Sequence, residues 1–198
     1  MQSDGWLGEI VSIDFSTVVI DQMEKRYRRK ENERKGKQQQ QFFAPGSMRF
    51  VCADITEGLP FCDNEFDLVV CKGTFDAILC SSGSVNHAKR LVAECERVLA
   101  KGHGCFFLCS YGSPDNRLVF LEHQNDPSYY WENIGVHPVA RKNQRNDYVY
   151  ICRKKETNAS ENVVSRPLVV VTNEENMELP AGEPSREPQI ARSEAVRC

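Results

Sequence analysis

The 198-residue sequence lacks the patterns that mark several large classes of protein. No window approaches the ~18–20 consecutive apolar residues of a membrane-spanning helix. The N-terminal segment lacks the basic region and the apolar region of a secretory signal. The formal net charge of −3 provides no chain-wide attraction for nucleic acid. We therefore expect a cytoplasmic protein that contacts no membrane and has no nucleic-acid partner.

The nine cysteines lack the spacing of a metal site or of a disulfide framework. The sequence contains no Cys-x-x-Cys pair and no Cys/His cluster at zinc spacing. Four of the cysteines lie in apolar runs, namely Cys52, Cys71, Cys105 and Cys109. Free cysteine behaves there as a small hydrophobic residue. We expect reduced thiols in an intracellular compartment, and no metal.

Aromatic residues are absent from position 154 onward, where four prolines and many Glu, Ser and Asn residues occur. Such a composition buries too little apolar surface to offset the entropy of the chain. We therefore expect residues 1–153 to form the folded domain and residues 154–198 to form a disordered tail that is dispensable to the fold. We assign no role to the longest apolar patch of this tail, Leu168–Val171.

One short region inside the domain is strongly polar. Residues Glu24–Lys37 carry dense basic charge, and Gln38–Gln41 follow them. This pattern predicts a helix end that runs into a solvated loop, inserted at about residues 28–47. A specific contact with RNA or with an acidic partner is the alternative.

Short apolar runs alternate with amphipathic segments along the rest of the domain. Runs rich in Val, Leu and Phe fit the buried strands of a parallel sheet. The predicted strands are Glu9–Ile13, Met48–Cys52, Phe66–Cys71, Gly104–Ser110, Tyr129–Val136 and Asp147–Cys152, and the predicted helices are Thr17–Arg29, Asn86–Leu99 and Pro114–Leu121. The pattern predicts an α/β fold whose last two strands form an antiparallel pair at the sheet edge.

Polar residues follow three of these strands where each strand ends. Asp14 and Asp54 follow the first two strands, and Lys72 follows the third. Ligands of open parallel sheets bind beyond the carboxyl ends of the strands. A carboxylate there can accept two hydrogen bonds from the vicinal hydroxyls of a ribose. A loop or helix-capping role for Asp14 is the alternative.

The ordered series of these features resembles the class I S-adenosylmethionine-dependent methyltransferases over residues 1–153. Four segments are similar to the methyltransferase-like group that includes lysine methyltransferases of the elongation factor delivering aminoacyl-tRNA: VSIDFSTVVIDQM, ADITEGLPF, NEFDLVVCKGTFDAIL and ERVLAKGHGCFFLCSYGSP. That group carries Asp-Lys-Gly-Thr-hydrophobic-Asp-Ala after its fourth strand. Residues Cys71–Ala77 match six of these seven positions, with cysteine in place of the first aspartate.

The resemblance implies a Rossmann-like sheet, S-adenosyl-L-methionine as cofactor and a translation elongation factor as protein substrate. It implies that Asp14 binds the ribose and that Phe15 borders the adenine. Asp54 and Ile55 would hold the adenine, and Lys72 would lie beside the cofactor. The packing of Phe15 and Ile55 in the core is the alternative for these two residues.

The sequence departs from this family at its start. The family's first strand ends in a Gly-x-Gly loop at the methionine half of the cofactor, and the only Gly-x-Gly here is Gly102-His103-Gly104. We therefore expect an N-terminally truncated sheet without its first strand. Numbered as in the family, its strands would lie side by side in the order third, second, fourth, fifth, seventh, sixth. Because the neutral thiol of Cys71 cannot replace an aspartate, we expect weak or absent activity. The alternative function is a non-catalytic binding module.

Overall fold

The computed structural model describes residues 8–36, 47–122, 131–140, 146–156 and 168–172. These residues form seven strands and four helices. In chain order they are β1 (Ile10–Asp14), α1 (Thr17–Gly36), β2 (Met48–Cys52), β3 (Leu68–Lys72), α2 (Thr74–Leu79), α3 (Ser84–Val98), β4 (Cys105–Ser110), α4 (Pro114–Leu121), β5 (Trp131–Ala140), β6 (Asn146–Lys154) and β7 (Leu168–Thr172). No helix in this part of the chain has the length and apolarity needed to cross a bilayer.

All seven strands belong to one sheet with the order β2-β1-β7-β3-β4-β6-β5. The strands from β2 to β4 in this order run parallel to their neighbours. Strand β6 runs antiparallel to both β4 and β5 at the other edge. The predicted fold class, a mostly parallel Rossmann-like sheet with an antiparallel edge, is confirmed. The predicted order counts the family's first strand, so its second to seventh strands correspond to β1–β6 here. Without β7, the observed order β2-β1-β3-β4-β6-β5 is the predicted one.

The centre of the sheet corrects two predictions. The sheet does not lack a central strand, and residues 154–198 do not form a wholly disordered tail, because β7 lies between β1 and β3 and is parallel to both. Its register places Val169 beside Val11 and Val69. The physical reason is that β1 and β3 each present an inner row of backbone groups that need partners. A short run rich in valine suits such a position.

The helix α1 continues to Gly36, beyond its predicted end at Arg29. The predicted insert at residues 28–47 is therefore helical over its first part, and residues 37–46 lie outside the described chain. Ion pairs spaced four residues apart stabilise a helix of this polarity. The pairs are Lys25–Asp21, Arg28–Glu24 and Arg29–Glu33.

The hydrophobic core is formed by the central strands and by one face of α3. All five residues of β1 are buried, as expected for a strand near the centre of a covered sheet. The predicted apolar stripe of α3 is also buried: Ala88, Leu91, Val92, Cys95 and Val98. In β4, Phe106 and Leu108 alternate with less buried residues and join the same core.

Lys154, which was assigned to the start of the tail, is instead buried at the end of β6 with 6% of its surface exposed. Its Nζ donates hydrogen bonds to the carbonyl oxygens of Glu96 (2.7 Å) and Leu99 (2.8 Å). It also forms an ion pair with Oε1 of Glu96 at 3.0 Å. A cation at the C-terminal end of α3 satisfies carbonyls that have no partner within the helix. Lys154 therefore joins the sheet to α3.

We expect Lys154→Met to destabilise the protein by about 3–5 kcal/mol, because it leaves the Glu96 carboxylate and two carbonyl oxygens without their buried cation. Urea unfolding followed by circular dichroism measures the change. Lys89→Met on the exposed face of α3 is the control, with an expected change within about 0.5 kcal/mol. Equal loss in the two variants would contradict the role of Lys154.

Candidate functional site

The carboxyl ends of the parallel strands form the candidate site, and two predicted acidic residues meet there. Asp14 at the end of β1 lies opposite Cys52 at the end of β2. The carbonyl oxygen of Asp14 accepts a hydrogen bond from the N–H of Ala53 at 3.0 Å. Asp54 is the next residue. The structure therefore brings Asp14 and Asp54 together at the ends of neighbouring strands.

Asp14 is buried, and one of its two carboxylate oxygens already accepts a hydrogen bond within the protein. Its Oδ1 accepts the backbone N–H of Ser16 at 2.7 Å, and only 6% of the residue is exposed. Ser16 in turn accepts the N–H of Val19 through Oγ at 3.3 Å, so it caps the start of α1. No described residue donates a hydrogen bond to the second carboxylate oxygen of Asp14. This oxygen can accept hydrogen bonds from a ligand at the start of α1, where the helix favours negative charge.

Asp54 and its neighbours differ in exposure. The Oδ1 of Asp54 accepts hydrogen bonds from Thr56 N (2.8 Å) and Thr56 Oγ1 (2.7 Å), which fix the orientation of this exposed carboxylate. Ile55 is 4% exposed and lies in the core, whereas the Phe15 ring is 70% exposed beside Asp14. The alternative that these two residues pack in the core is therefore confirmed for Ile55 and wrong for Phe15.

Lys72 lies on the other side of the central strand from Asp14. It ends β3 as an exposed residue and pairs in register with Thr172 of β7. Two strand spacings therefore separate β1 from β3, a distance of roughly 10 Å. The structure does not bring Lys72 into contact with Asp14 or Asp54. Lys72 and Asp14 instead flank the end of β7 at the same edge of the sheet.

Cys71 is completely buried one residue before Lys72. Burial raises the pKa of its thiol to about 12. The thiol is therefore neutral at physiological pH. The prediction that Cys71 cannot supply the negative charge of the aspartate in the related motif is confirmed.

The turn after Lys72 explains part of the motif from Cys71 to Ala77. Gly73 has φ +82°, in the left-handed region that favours glycine, and its carbonyl begins α2 by accepting the N–H of Ala77 at 2.9 Å. The hydroxyl of Thr74 is buried and has no hydrogen-bond partner among the described residues. It is therefore a further polar group at the carboxyl end of β3, and sequence reasoning missed it.

Sequence reasoning also missed a paired cluster beside β3, formed by Asp76, Ser110 and Arg117. The Oδ1 of Asp76 accepts hydrogen bonds from Ser110 Oγ and from Arg117 Nη2, the latter at 2.9 Å. Arg117 Nε also donates to Ser110 Oγ at 2.7 Å. The second oxygen of Asp76 accepts the N–H of Tyr111 at 3.1 Å. Asp76 therefore holds the loop after β4 and is not an unpaired base.

The Asp76 cluster connects three elements at the carboxyl edge. Asp76 lies on α2, Ser110 ends β4, and Arg117 lies on α4. The Arg117 guanidinium also lies over the Phe75 ring, 5.7 Å from its centroid. Only Asp76 carries a sequence signal, as part of the motif from Cys71 to Ala77. Its partners are far apart in the chain, so no local pattern could have identified them.

We expect Gly112→Ala to lower the free energy of unfolding by about 1–3 kcal/mol, because the new Cβ would overlap the Arg117 guanidinium. If this overlap is the cause, Gly112→Ala in an Arg117→Ala background should change stability by only about 0.5 kcal/mol. Urea unfolding of the four proteins of this double-mutant cycle gives the comparison. A loss of equal size in both backgrounds would exclude the overlap as the cause.

Comparisons with known proteins agree with this architecture. A family model described as a methyltransferase domain matches residues 1–107, more than half of the chain. No curated protein matches the sequence. The fold is similar to that of an S-adenosylmethionine-dependent methyltransferase from Methanosarcina mazei, with a TM-score of 0.51 and 16% identity over 79% of this chain and 85% of that chain.

A second structure in the comparison is more distant. It is the 1,6-didemethyltoxoflavin-N1-methyltransferase of Burkholderia thailandensis with bound 1,6-didemethyltoxoflavin and S-adenosylhomocysteine. Its TM-score is 0.47 at 12% identity, with 78% of this chain and 74% of that chain covered.

Proposed function

We infer the function from one premise, namely that this chain belongs to the methyltransferase-domain family. Its activity is S-adenosyl-L-methionine-dependent methyl transfer, and we propose that a lysine side chain of a protein is the acceptor. The observation that carries the proposal is the meeting of Asp14 and Asp54 at the ends of neighbouring parallel strands. This position is where open parallel sheets bind nucleotide-containing ligands.

The residues at this edge fit the adenosine half of the cofactor. The second carboxylate oxygen of Asp14 would accept the ribose hydroxyls, and the oriented carboxylate of Asp54 would accept the exocyclic amine of the adenine. The exposed Phe15 ring would border the adenine, and Ile55 would support this wall from the core. Lys72 would lie beside the cofactor at the end of β3. The fit is supported by the buried Asp14, whose second oxygen accepts no hydrogen bond from the residues that the structure describes.

When bound, S-adenosyl-L-methionine supplies a methyl group activated by its sulfonium, so the chain contributes mainly orientation. The Asp76 cluster would position α2 and the loop after β4 beside the acceptor. Both oxygens of Asp76 are engaged, so Asp76 is a positioning residue and does not take a proton. A lysine acceptor has an ordinary pKa near 10.4 and must lose a proton before it attacks.

The choice of a protein lysine is supported by the motif from Cys71 to Ala77. Its six matches to the group with elongation-factor lysine methyltransferases favour a translation elongation factor as the substrate. Cytoplasmic localisation would follow from this substrate. Incubation of the full chain with radiolabelled cofactor and purified elongation factor, followed by peptide mass spectrometry, tests the acceptor. Methylation of lysine supports the proposal, whereas transfer only to small molecules contradicts it.

A non-catalytic binding module is the second candidate, and Cys71 is the observation that favours it. Because the Cys71 thiol is neutral and buried, this position supplies no fixed charge near the acceptor. A chain that binds S-adenosylhomocysteine but transfers no methyl group to any protein would favour the binding module over the enzyme.

We expect Asp14→Asn to weaken the binding of S-adenosylhomocysteine by about 10–100-fold, because hydrogen bonds to a charged acceptor are worth ~1.5–3 kcal/mol. Isothermal titration calorimetry measures the affinity. Asp21→Asn is the matched control, since Asp21 is an exposed residue of α1 that pairs with Lys25. Equal weakening in the two variants would remove Asp14 from the site.

We also expect the unaltered chain to bind S-adenosyl-L-methionine only in the millimolar range. The sequence offers no Gly-x-Gly loop at this edge for the methionine half, and the loss of two contacts to charged groups costs ~3–6 kcal/mol. Calorimetry at high ligand concentration gives the dissociation constant. A micromolar value would show that other residues replace the loop.

A further inference from the structure

β7 is the element that connects the two parts of the sheet. On one side it pairs with β1, which pairs with β2, and on the other side it pairs with β3, which leads to β4, β6 and β5. Among the described strands, no ladder joins β1 directly to β3. The space between β1 and β3, here named the central slot, therefore takes a strand from the far end of the sequence.

The connection from β6 to β7 is much longer than the distance that it spans. Arg153 of β6 lies opposite Cys105, Cys105 lies opposite Leu68, and Leu68 lies opposite Leu168. The end of β6 and the start of β7 therefore lie at the same edge, three strand spacings or about 14 Å apart. Residues 155–167 reach ~45 Å when extended. A connection of this length does not dictate the position of β7, which is set by its pairing with β1 and β3.

The walls of the central slot define the kind of segment that it accepts. Ile10 to Ile13 of β1 and Leu68 to Lys72 of β3 align with β7 in parallel register. Buried apolar residues line both neighbouring strands: Val11, Ile13, Val69 and Cys71. The slot therefore suits an extended segment of about five residues that is rich in β-branched side chains.

We propose that the central slot is a peptide-binding site and that residues 168–172 are its tethered ligand. This strand docks and leaves as a unit while β3, β4 and β6 keep their pairing, and a free peptide of the same sequence takes its place when the tethered strand is disabled. The recognition is backbone pairing on both edges.

The site at the carboxyl edge depends on this docking, a consequence that rests on the proposed function. Val171 of β7 lies between Ile13 and Cys71 in the register of the sheet. Asp14 and Lys72 are the next residues along the two flanking strands. Occupancy of the central slot therefore sets the separation between the proposed ribose-binding carboxylate and the proposed cofactor-side lysine.

A peptide-binding experiment with the full-length chain tests the proposal. Val170→Pro disables the tethered strand, since proline removes a backbone donor and is poorly accepted inside a central strand. Val164→Pro, six residues upstream and outside β7, is the matched control. Fluorescence anisotropy of a labelled peptide of residues 164–176 measures the affinity of each protein.

We expect Val170→Pro to bind the peptide at least about tenfold more tightly than the unaltered chain, because a covalently tethered ligand competes with the free peptide at an effective concentration in the millimolar range. Val164→Pro should behave as the unaltered chain does. Equal binding by all three proteins would overturn the proposal. A dimer of the unaltered chain that Val170→Pro converts to a monomer would also overturn it, since the strand would then come from a second copy.

Hydrogen exchange of the unaltered chain gives an answer even if Val170→Pro fails to fold. We expect the amides of residues 168–172 to exchange more slowly than those of the free peptide and faster than those of β3 and β4. Exchange at the free-peptide rate, or at the rate of β3 and β4, would overturn the proposal. Because no cofactor is present, this result is independent of whether the chain binds S-adenosyl-L-methionine.

Discussion

The backbone pairing of β1 and β3 is the constraint on which the rest of the structure depends. Each strand has one edge satisfied by a neighbour from its own part of the sequence and one inner edge that needs another partner. Buried N–H and C=O groups are rarely left unpaired, so the sheet closes around β7. This closure aligns the carboxyl ends that carry Asp14 and Lys72. The candidate site is therefore a product of sheet assembly.

The buried charged side chains are of two kinds: those paired inside the protein, and one with an oxygen available to a ligand. Lys154 pairs with the Glu96 carboxylate and donates hydrogen bonds to carbonyl oxygens at the end of α3, and Arg117 pairs with Asp76. These charges are satisfied inside the protein, and they hold strands and helices in fixed positions. Asp14 differs, since one of its oxygens has no partner in the part of the chain that the structure describes. An acceptor that the protein leaves available is what a hydroxyl-bearing ligand requires.

The local features of the fold were predictable from the sequence because they depend on neighbouring residues. The strand ends at Asp14 and Asp54, the buried face of α3 and the antiparallel edge all follow from short apolar patterns. The role of Leu168–Thr172 as the central strand was not predicted, because the polar composition of the surrounding tail outweighed a run of only five residues. The pairing of Asp76 with Arg117 was missed for a related reason, since contacts between distant positions leave no periodic signal.

The position of β7 has a consequence for the order of assembly during synthesis. The strand at the centre of the sheet is the last of the described strands to leave the ribosome, and its neighbour β1 is the first of them. The nascent chain therefore carries β1 and β3 with open inner edges until residues 168–172 have been made. Pairings between such distant segments form slowly, and open strand edges attract other chains. The sheet of this domain can thus be completed only after residues 168–172 have been synthesised.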